Sequence, residues 1–308
     1  MHYKPHPISL RFEVDGVPVD EFMNALQQGL NNADDVSGKV APVLVEMMKA
    51  GKIPMFQHYY YETSGGRLDS DTPEEKVYDA FHALRLDIGA ATGTTGLMEE
   101  YIIEWGPMGD NGKGTRRTLR EAVLGCVDRG GDDRGYVAVC ESALVRNAFD
   151  TNSPNEDLVK IRDAREVVVD DFSTGVGEKL LNNATLRSLT GGNVISGHGK
   201  NEKAVNIKTS FTIRMITNDF PQFSEPLKSQ DRRRLSVLFY PCTFKPIDSP
   251  DYDAANPNHR PQLQLKAQLG NHCSEFMEWC RVLAPASGAG ACKWVWPRPR
   301  AMEELINT

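Results

Sequence analysis

Nine residues, Gly106 to Gly114, hold four glycines and a proline, and Lys113 stands where an amphipathic helix begins. Glycine loses more backbone freedom on folding than any other residue, so this density points to a loop whose bare backbone is needed. The chemistry open to it is phosphate binding, with backbone N–H groups curled round phosphate oxygens and a helix N-terminus adding partial positive charge. Gly109, Gly112 and Gly114 would let the backbone approach the phosphates, and Lys113 would reach the β- and γ-phosphates. Asp110, Asn111 and Thr115 complete the run expected to contact ATP, with Thr115 serving Mg2+. The spacing departs from G-x-x-x-x-G-K-[ST] at two places. Pro107 stands at the first glycine position with Gly106 one residue early, and Gly114 stands at the Ser/Thr position with Thr115 one residue late.

Such a site also needs acids at the end of a neighbouring strand. "REVVVDDF" places Asp170 and Asp171 directly after an apolar run. One would anchor the metal's water shell and the other would polarise the attacking water. Two basic features follow. "DRRRLSVLF" carries Arg232, Arg233 and Arg234, whose guanidinium forks suit a transferring phosphoryl group. Between Gly197 and Arg214 four Lys/Arg residues face one glutamate, and "GHGKNEK" reads as the tip of a hairpin joining two short strands. There Lys200 and Lys203 would meet nucleic-acid phosphates, and His198 would stack or hydrogen-bond.

The elements that must position these residues follow from periodicity. Residues up to about Leu97 read as mainly helical, with apolar spacing in "VDEFMNALQQGL" (19–30) and "VAPVLVEMMKAG" (40–51), and a further helix ending near "GAATGTTG" (89–96). Beyond it short β-branched runs alternate with helices: "YIIEW" (101–105), "EVVVD" (166–170), "SFTIRMIT" (210–217) and "RLSVLFY" (234–240). Such runs suit strands buried on both faces of a parallel sheet, so an α/β core is expected. "QLQLKAQLGNHCSEFMEWCRVL" (262–283) predicts a closing helix before a tail containing "KWVWPRPR", which would pack or dock a partner. The division expected is a helical segment over 1–97, the core over 98–245 and a helical C-terminal segment over 246–308.

The order "GDNGKGT", "REVVVDDF", "LTGGNVI", "TNDFP", "DRRRLSVLF" resembles the superfamily 3 helicases, in particular the primase-helicases of phages, plasmids and large DNA viruses. The resemblance spans about Gly89 to Pro241. It implies an AAA+-like P-loop core with a parallel central sheet, preceded by a collar-like helical segment, and ATP-dependent unwinding of DNA during replication. Asn218 would be the sensor of the γ-phosphate or attacking water. One of Arg232, Arg233 and Arg234 would act as a finger in a neighbouring copy's site, which implies a homo-oligomeric ring, by family a hexamer. The hairpin would grip single-stranded or forked DNA, and a primase or other replication protein would be a working partner. The family's Walker B glutamate position holds Asp171, a shorter acid.

Bulk properties are compatible with that reading and narrow it. The 308 residues carry 35 Lys/Arg against 42 Asp/Glu, a net charge of −7, so nucleic-acid binding must rest on a local basic patch. Six cysteines occur without a Cys-x-x-Cys pair, which suggests reduced, packed thiols and neither a zinc site nor a disulfide framework. No apolar run approaches a membrane span, so an intracellular protein of cytosol or nucleus is expected, with no membrane partner. Two other readings stay open: a nucleotide kinase, whose loops also use Gly-Lys-Gly-Thr, and a non-catalytic DNA-binding ring descended from a helicase.

Overall fold

Five short runs rich in Val and Ile associate into one parallel sheet. A computed structural model describes residues 13–14, 17–18, 40–92, 99–127, 135–149, 154–170, 180–201 and 203–283. The strands are β1 (Tyr101–Trp105), β2 (Val137–Cys140), β3 (Glu166–Val169), β6 (Thr212–Thr217) and β7 (Leu235–Phe239), in the spatial order β2-β3-β6-β1-β7. Between β3 and β6 a separate antiparallel hairpin is made by β4 (Val194–Gly197) and β5 (Val205–Lys208). Every pairing in the five-stranded sheet is parallel, with Ile103 level with Met215 on one side and Val237 on the other. Four of the five strands coincide within two residues with the expected runs. The fifth, β2, is only four residues long.

The sheet is covered on both faces, as its continuous apolar runs require. On the face of Ile102 lie α1 (Ala41–Lys49), α2 (Pro73–Thr92), α3 (Lys113–Leu124) and α6 (Leu269–Leu283). There Phe56 stacks on Trp279, ring centroids 5.7 Å apart, and Phe81 packs tilted against both. This buried cluster joins residues of the N-terminal helices, the sheet and α6 into one hydrophobic unit. On the opposite face Tyr101, Ile103, Val167, Ile213 and Met215 pack against Leu186 and Leu189 of α4 (Asn183–Thr190) and against Ile207 of the hairpin. A short helix, α5 (Ser229–Arg234), runs straight into β7.

One expectation needs correction. The segment 246–268 is not helical. Residues Thr243–Lys245 and His259–Pro261 pair as short parallel strands, turns lie between them, and only a 3-10 turn (Leu265–Gln268) precedes α6. Pro246, Pro250, Pro257 and Pro261 explain this, since each lacks the N–H a helix needs. In the N-terminal part, Gln57–Tyr61 forms a π-helical turn, and the run 19–30 lies outside the described residues. Among the described residues no helix is long and apolar enough to cross a membrane.

The sheet's Ile102 face also carries charge. Glu104 of β1, Arg214 of β6 and Glu166 of β3 lie on it diagonally, and α3 and α2 bring Arg116, Arg120 and Asp87 down onto them. All six side chains are at most 1% exposed. Arg214 reaches Asp87 at 2.5 Å, Glu104 at 2.9 Å and Glu166 at 3.2 Å. Arg116 contacts Asp87 at 2.9 Å, Arg120 contacts Glu166 at 2.9 Å, and the Tyr60 hydroxyl donates to Asp87 at 2.7 Å. Burial by itself would push the Asp87 carboxyl up, but Arg116, Arg214 and Arg120 hold it well below the usual carboxylate range. Three cations offset three carboxylates, which is what makes such burial tolerable.

Candidate functional site

The glycine-rich loop leaves β1 at the carboxyl edge of the sheet, where open α/β sheets bind ligands. Its conformation is set by a few close contacts. The Gly106 amide donates to Thr217 O at 3.3 Å, which extends the β1–β6 pairing by one bond. A Cβ at Gly106 would come within 2.6 Å of Tyr240 O and 2.5 Å of Asn111 Nδ2, so the glycine one position early is needed for packing. Asn111 is buried and ties the loop across its base, its Nδ2 donating to Met108 O at 2.6 Å and its Oδ1 accepting from the Lys113 amide at 3.4 Å. Gly112 caps α3 with φ +88°, and a Cβ there would meet Thr63 Cγ2 at 2.7 Å. Asp110 takes φ +55° and its carbonyl accepts from the Phe244 amide at 2.7 Å. Gly109 and Gly114 have open space where a side chain would lie.

Lys113 begins α3 and is buried, 5% exposed. Its Nζ donates to Gly106 O at 3.1 Å and to Asn218 Oδ1 at 2.9 Å. Burial lowers its pKa to about 8, with Glu104 opposing the shift. Asn218 follows directly on β6, the middle strand, so the two residues meet because their strands are neighbours. Thr217 Oγ1 donates to Asp219 O at 2.6 Å and accepts from the Asp219 amide at 3.1 Å, folding the chain tightly round Asn218. The Gly114 and Thr115 amides lie in the first turn of α3, where no helical carbonyl serves them. Open glycines, first-turn amides and a semi-buried ammonium form a cradle suited to an anion. A cleft of about 320 Å3 adjoins it, with Asp110, Gly112 and Thr115 on one wall and His58, Thr63 and Phe244 on another.

The remaining candidates fall into three places. Asp170 follows β3 directly and is 35% exposed, and Arg117 of α3 forms an ion pair with it while also holding Glu121 at 2.6 Å. Thr115 is exposed on the cleft wall, and Asp171 lies outside the described residues. Arg232, Arg233 and Arg234 end α5 at the amino edge of β7, opposite the loop. Arg233 and Arg234 both donate to Glu99 Oε2, at 2.6 and 2.9 Å, while Arg232 donates to Leu227 O at 3.2 Å. The five residues of β1 separate that edge from the loop by roughly 16 Å. Arg233 is 64% exposed and Arg234 12%. His198 and Lys200 sit where the hairpin turns, with Lys203 beyond. The Lys200 amide donates to Glu156 Oε1 at 2.8 Å, and the Asn155 amide donates to His198 O at 2.8 Å, so the tip is fastened to the helix Glu156–Lys160.

Sequence reasoning passed over Trp105 and the buried charges beneath α3. The signal for the charges was present: "YIIEW" and "SFTIRMIT" each interrupt an apolar strand with one charged residue, and "EVVVD" opens on Glu166. Among the described residues no group of three or more His, Cys, Asp or Glu side chains is placed to hold a metal ion, and no cysteines are paired.

The fold and site define the class only to this extent: an α/β protein with a five-stranded parallel sheet and a glycine-rich, lysine-bearing loop at its carboxyl edge. No family model matches the chain and no curated protein matches it. Among solved structures it is similar to the apo form of the NrS-1 C-terminal region, with 14% identity and a TM-score of 0.40 over 64% of this chain and 40% of that one. The chain therefore spans about two fifths of that structure's length.

Proposed function

We propose that this chain is the ATP-hydrolysing motor of a superfamily 3 type DNA helicase. The observation that carries the reading is the meeting of Lys113 and Asn218, 2.9 Å apart, at the mouth of the glycine-rich loop. In this reading the triphosphate lies over Gly109 to Gly114, and Lys113 exchanges its bond to Gly106 O for phosphate oxygens. Asn218 then senses the terminal phosphate. The base and ribose occupy the cleft between Thr115 and Phe244.

The oxygen donors present fit Mg2+, which is commonly held by one or two carboxylates together with substrate phosphates, without a closed protein cage. Asp170 and the Thr115 hydroxyl are such donors, and bound Mg2+ would neutralise phosphate charge. Asp170 must first leave Arg117. Asp171 would orient the attacking water. Because Arg232, Arg233 and Arg234 stand at the far edge of the sheet, an arginine acting on the terminal phosphate would serve a neighbouring copy's site, and Arg233, the most exposed, is best placed to do so. Lys200 and Lys203 would hold the backbone of single-stranded DNA, with His198 beside them.

The test is turnover of ATP with and without single-stranded DNA, together with unwinding of a forked duplex. Lys113→Ala should abolish both while leaving the thermal transition in place. ATP turnover by Lys113→Ala equal to that of the wild type sinks the reading. The ion pair between Arg117 and Asp170 favours a second reading, a non-catalytic DNA-binding ring, because it places a guanidinium on the carboxylate the metal needs. That reading predicts DNA binding with no turnover in the wild type.

A further inference from the structure

Trp105 is the last residue of β1, and its half-buried indole does something no neighbouring apolar side chain could. Its Nε1–H donates to the backbone carbonyl of Asn218 at 3.1 Å. The backbone ladder between β1 and β6 runs out with the Gly106 amide on Thr217 O, and the indole supplies the next bond beyond it. Asn218 is thereby held from two sides, by the indole on its carbonyl and by the Thr217–Asp219 turn around it. Its side-chain oxygen accepts from Lys113 Nζ at 2.9 Å.

The ring is itself fixed. It lies 4.8 Å from Phe239, at the end of β7, and meets Phe220 edge-on at 5.7 Å. The three aromatics thus bridge the carboxyl ends of β6, β1 and β7, and Phe239 is 42% exposed. Offset and edge-on aromatic pairs resist rotation of the ring, so the donor N–H stays aimed.

We propose that Trp105 is the positioning residue of the candidate site: its indole holds Asn218 where the side-chain oxygen shares Lys113 with the terminal phosphate of a nucleoside triphosphate. The proposal rests on the nucleotide reading above. Phosphate binding draws Lys113 off Gly106 O, the bond it keeps to Asn218 readjusts, and the indole attached to the Asn218 carbonyl reports the change. Trp105 is not among the residues lining the cleft and acts through Asn218, so its loss alters the response to the terminal phosphate and leaves the affinity for a diphosphate in place.

The experiment compares wild type, Trp105→Phe and Asn218→Ala in three measurements. These are calorimetric binding of ADP and of a non-hydrolysable ATP analogue, ATP turnover, and intrinsic tryptophan emission during the titrations. Phe keeps the ring and removes the donor. Expected are equal ADP affinities in wild type and Trp105→Phe, and turnover reduced roughly tenfold with KM nearly unchanged, the scale of one lost hydrogen bond expressed at the reacting group. Emission of the wild type should differ between the ADP and ATP-analogue complexes, and that difference should vanish in both variants. Wild-type turnover in Trp105→Phe overturns the proposal. So does an emission difference that survives in Asn218→Ala, which decides the matter even if Trp105→Phe does not fold. Absence of any nucleotide binding by the wild type instead removes the nucleotide reading itself, a separate result from the calorimetric arm.

Discussion

Lys113 and Asn218 lie 105 positions apart in the chain, yet the ammonium of one is 2.9 Å from the amide oxygen of the other. Burial of the lysine, opposed by Glu104, lowers its pKa to about 8. An arriving phosphate supplies the missing negative charge and raises that pKa. Above pH 8 nucleotide binding should therefore take up a proton, and affinity should fall as pH rises from about 8 to 10. Calorimetry in buffers of different ionisation heats measures the uptake directly. Proton release, or none, at pH 9 contradicts this account of Lys113.

Gly112 is the second test of the loop. Its φ of +88° and the 2.7 Å approach to Thr63 Cγ2 both oppose a side chain. Gly112→Ala should lower stability by about 1–2 kcal/mol in urea denaturation and weaken nucleotide binding along with it. Gly114→Ala, with open space around it, should leave stability within about 0.5 kcal/mol.

Arg214 touches all three carboxylates of the cluster beneath α3. Arg214→Met removes one cation and leaves the remaining charges unbalanced in the interior, so a loss of about 3–5 kcal/mol is expected. The measurement is the urea midpoint. Because Arg116 and Arg120 tie α3 to the same acids, the variant should also loosen the helix that carries Lys113, seen as faster amide exchange in α3.

Glu275 offers a pH test away from the loop. Burial pushes its carboxyl up to about 7, although the Met55 amide and Trp279 oppose this, and its Oε1 has no partner among the described residues. An acid whose pKa is raised on folding destabilises the fold once ionised. Stability should decline as pH climbs from about 4.5 through 7, and Glu275→Gln should remove that decline. The variant should match wild type at pH 4.5 and exceed it by about 1–3 kcal/mol at pH 8 in thermal or denaturant melts.

The hairpin makes a claim about salt. If Lys200 and Lys203 each neutralise one phosphate of single-stranded DNA, replacing either with Ala should reduce the slope of log affinity against log salt by roughly 0.7. A fluorescence anisotropy titration at several salt concentrations reads this. An unchanged slope in both variants places the nucleic acid elsewhere.

The strands that were legible in sequence were those with long β-branched runs, Tyr101–Trp105, Thr212–Thr217 and Leu235–Phe239, because burial on both faces demands such residues. Val137–Cys140 was not, since four residues flanked by polar chain give too little periodicity. The hairpin at Val194–Lys208 was legible from its glycine-rich turn, but its fastening to Asn155 and Glu156 was not, because that contact joins segments with no shared pattern. Glu104 and Arg214 show the limit most plainly. Each reads as an oddity within an apolar run, and their 2.9 Å contact across neighbouring strands, inside the buried cluster with Asp87, Glu166 and Arg120, explains both. The helices before Gly106 were visible as helices, but their place on the sheet depends on which of their faces meet Leu119, Leu238 and Trp279.

Strand β1 carries the glycine-rich loop at one tip and lies beside a triple-arginine helix end at the other. Copies that meet tip to opposite tip all point the same way, so a row of them always leaves one loop and one arginine cluster unmatched at its two ends. Only a rotation that brings the last copy round to the first consumes both, and without it the row keeps growing as a filament. In the proposed ring, the rotation between successive copies would thus decide whether self-association stops or runs on.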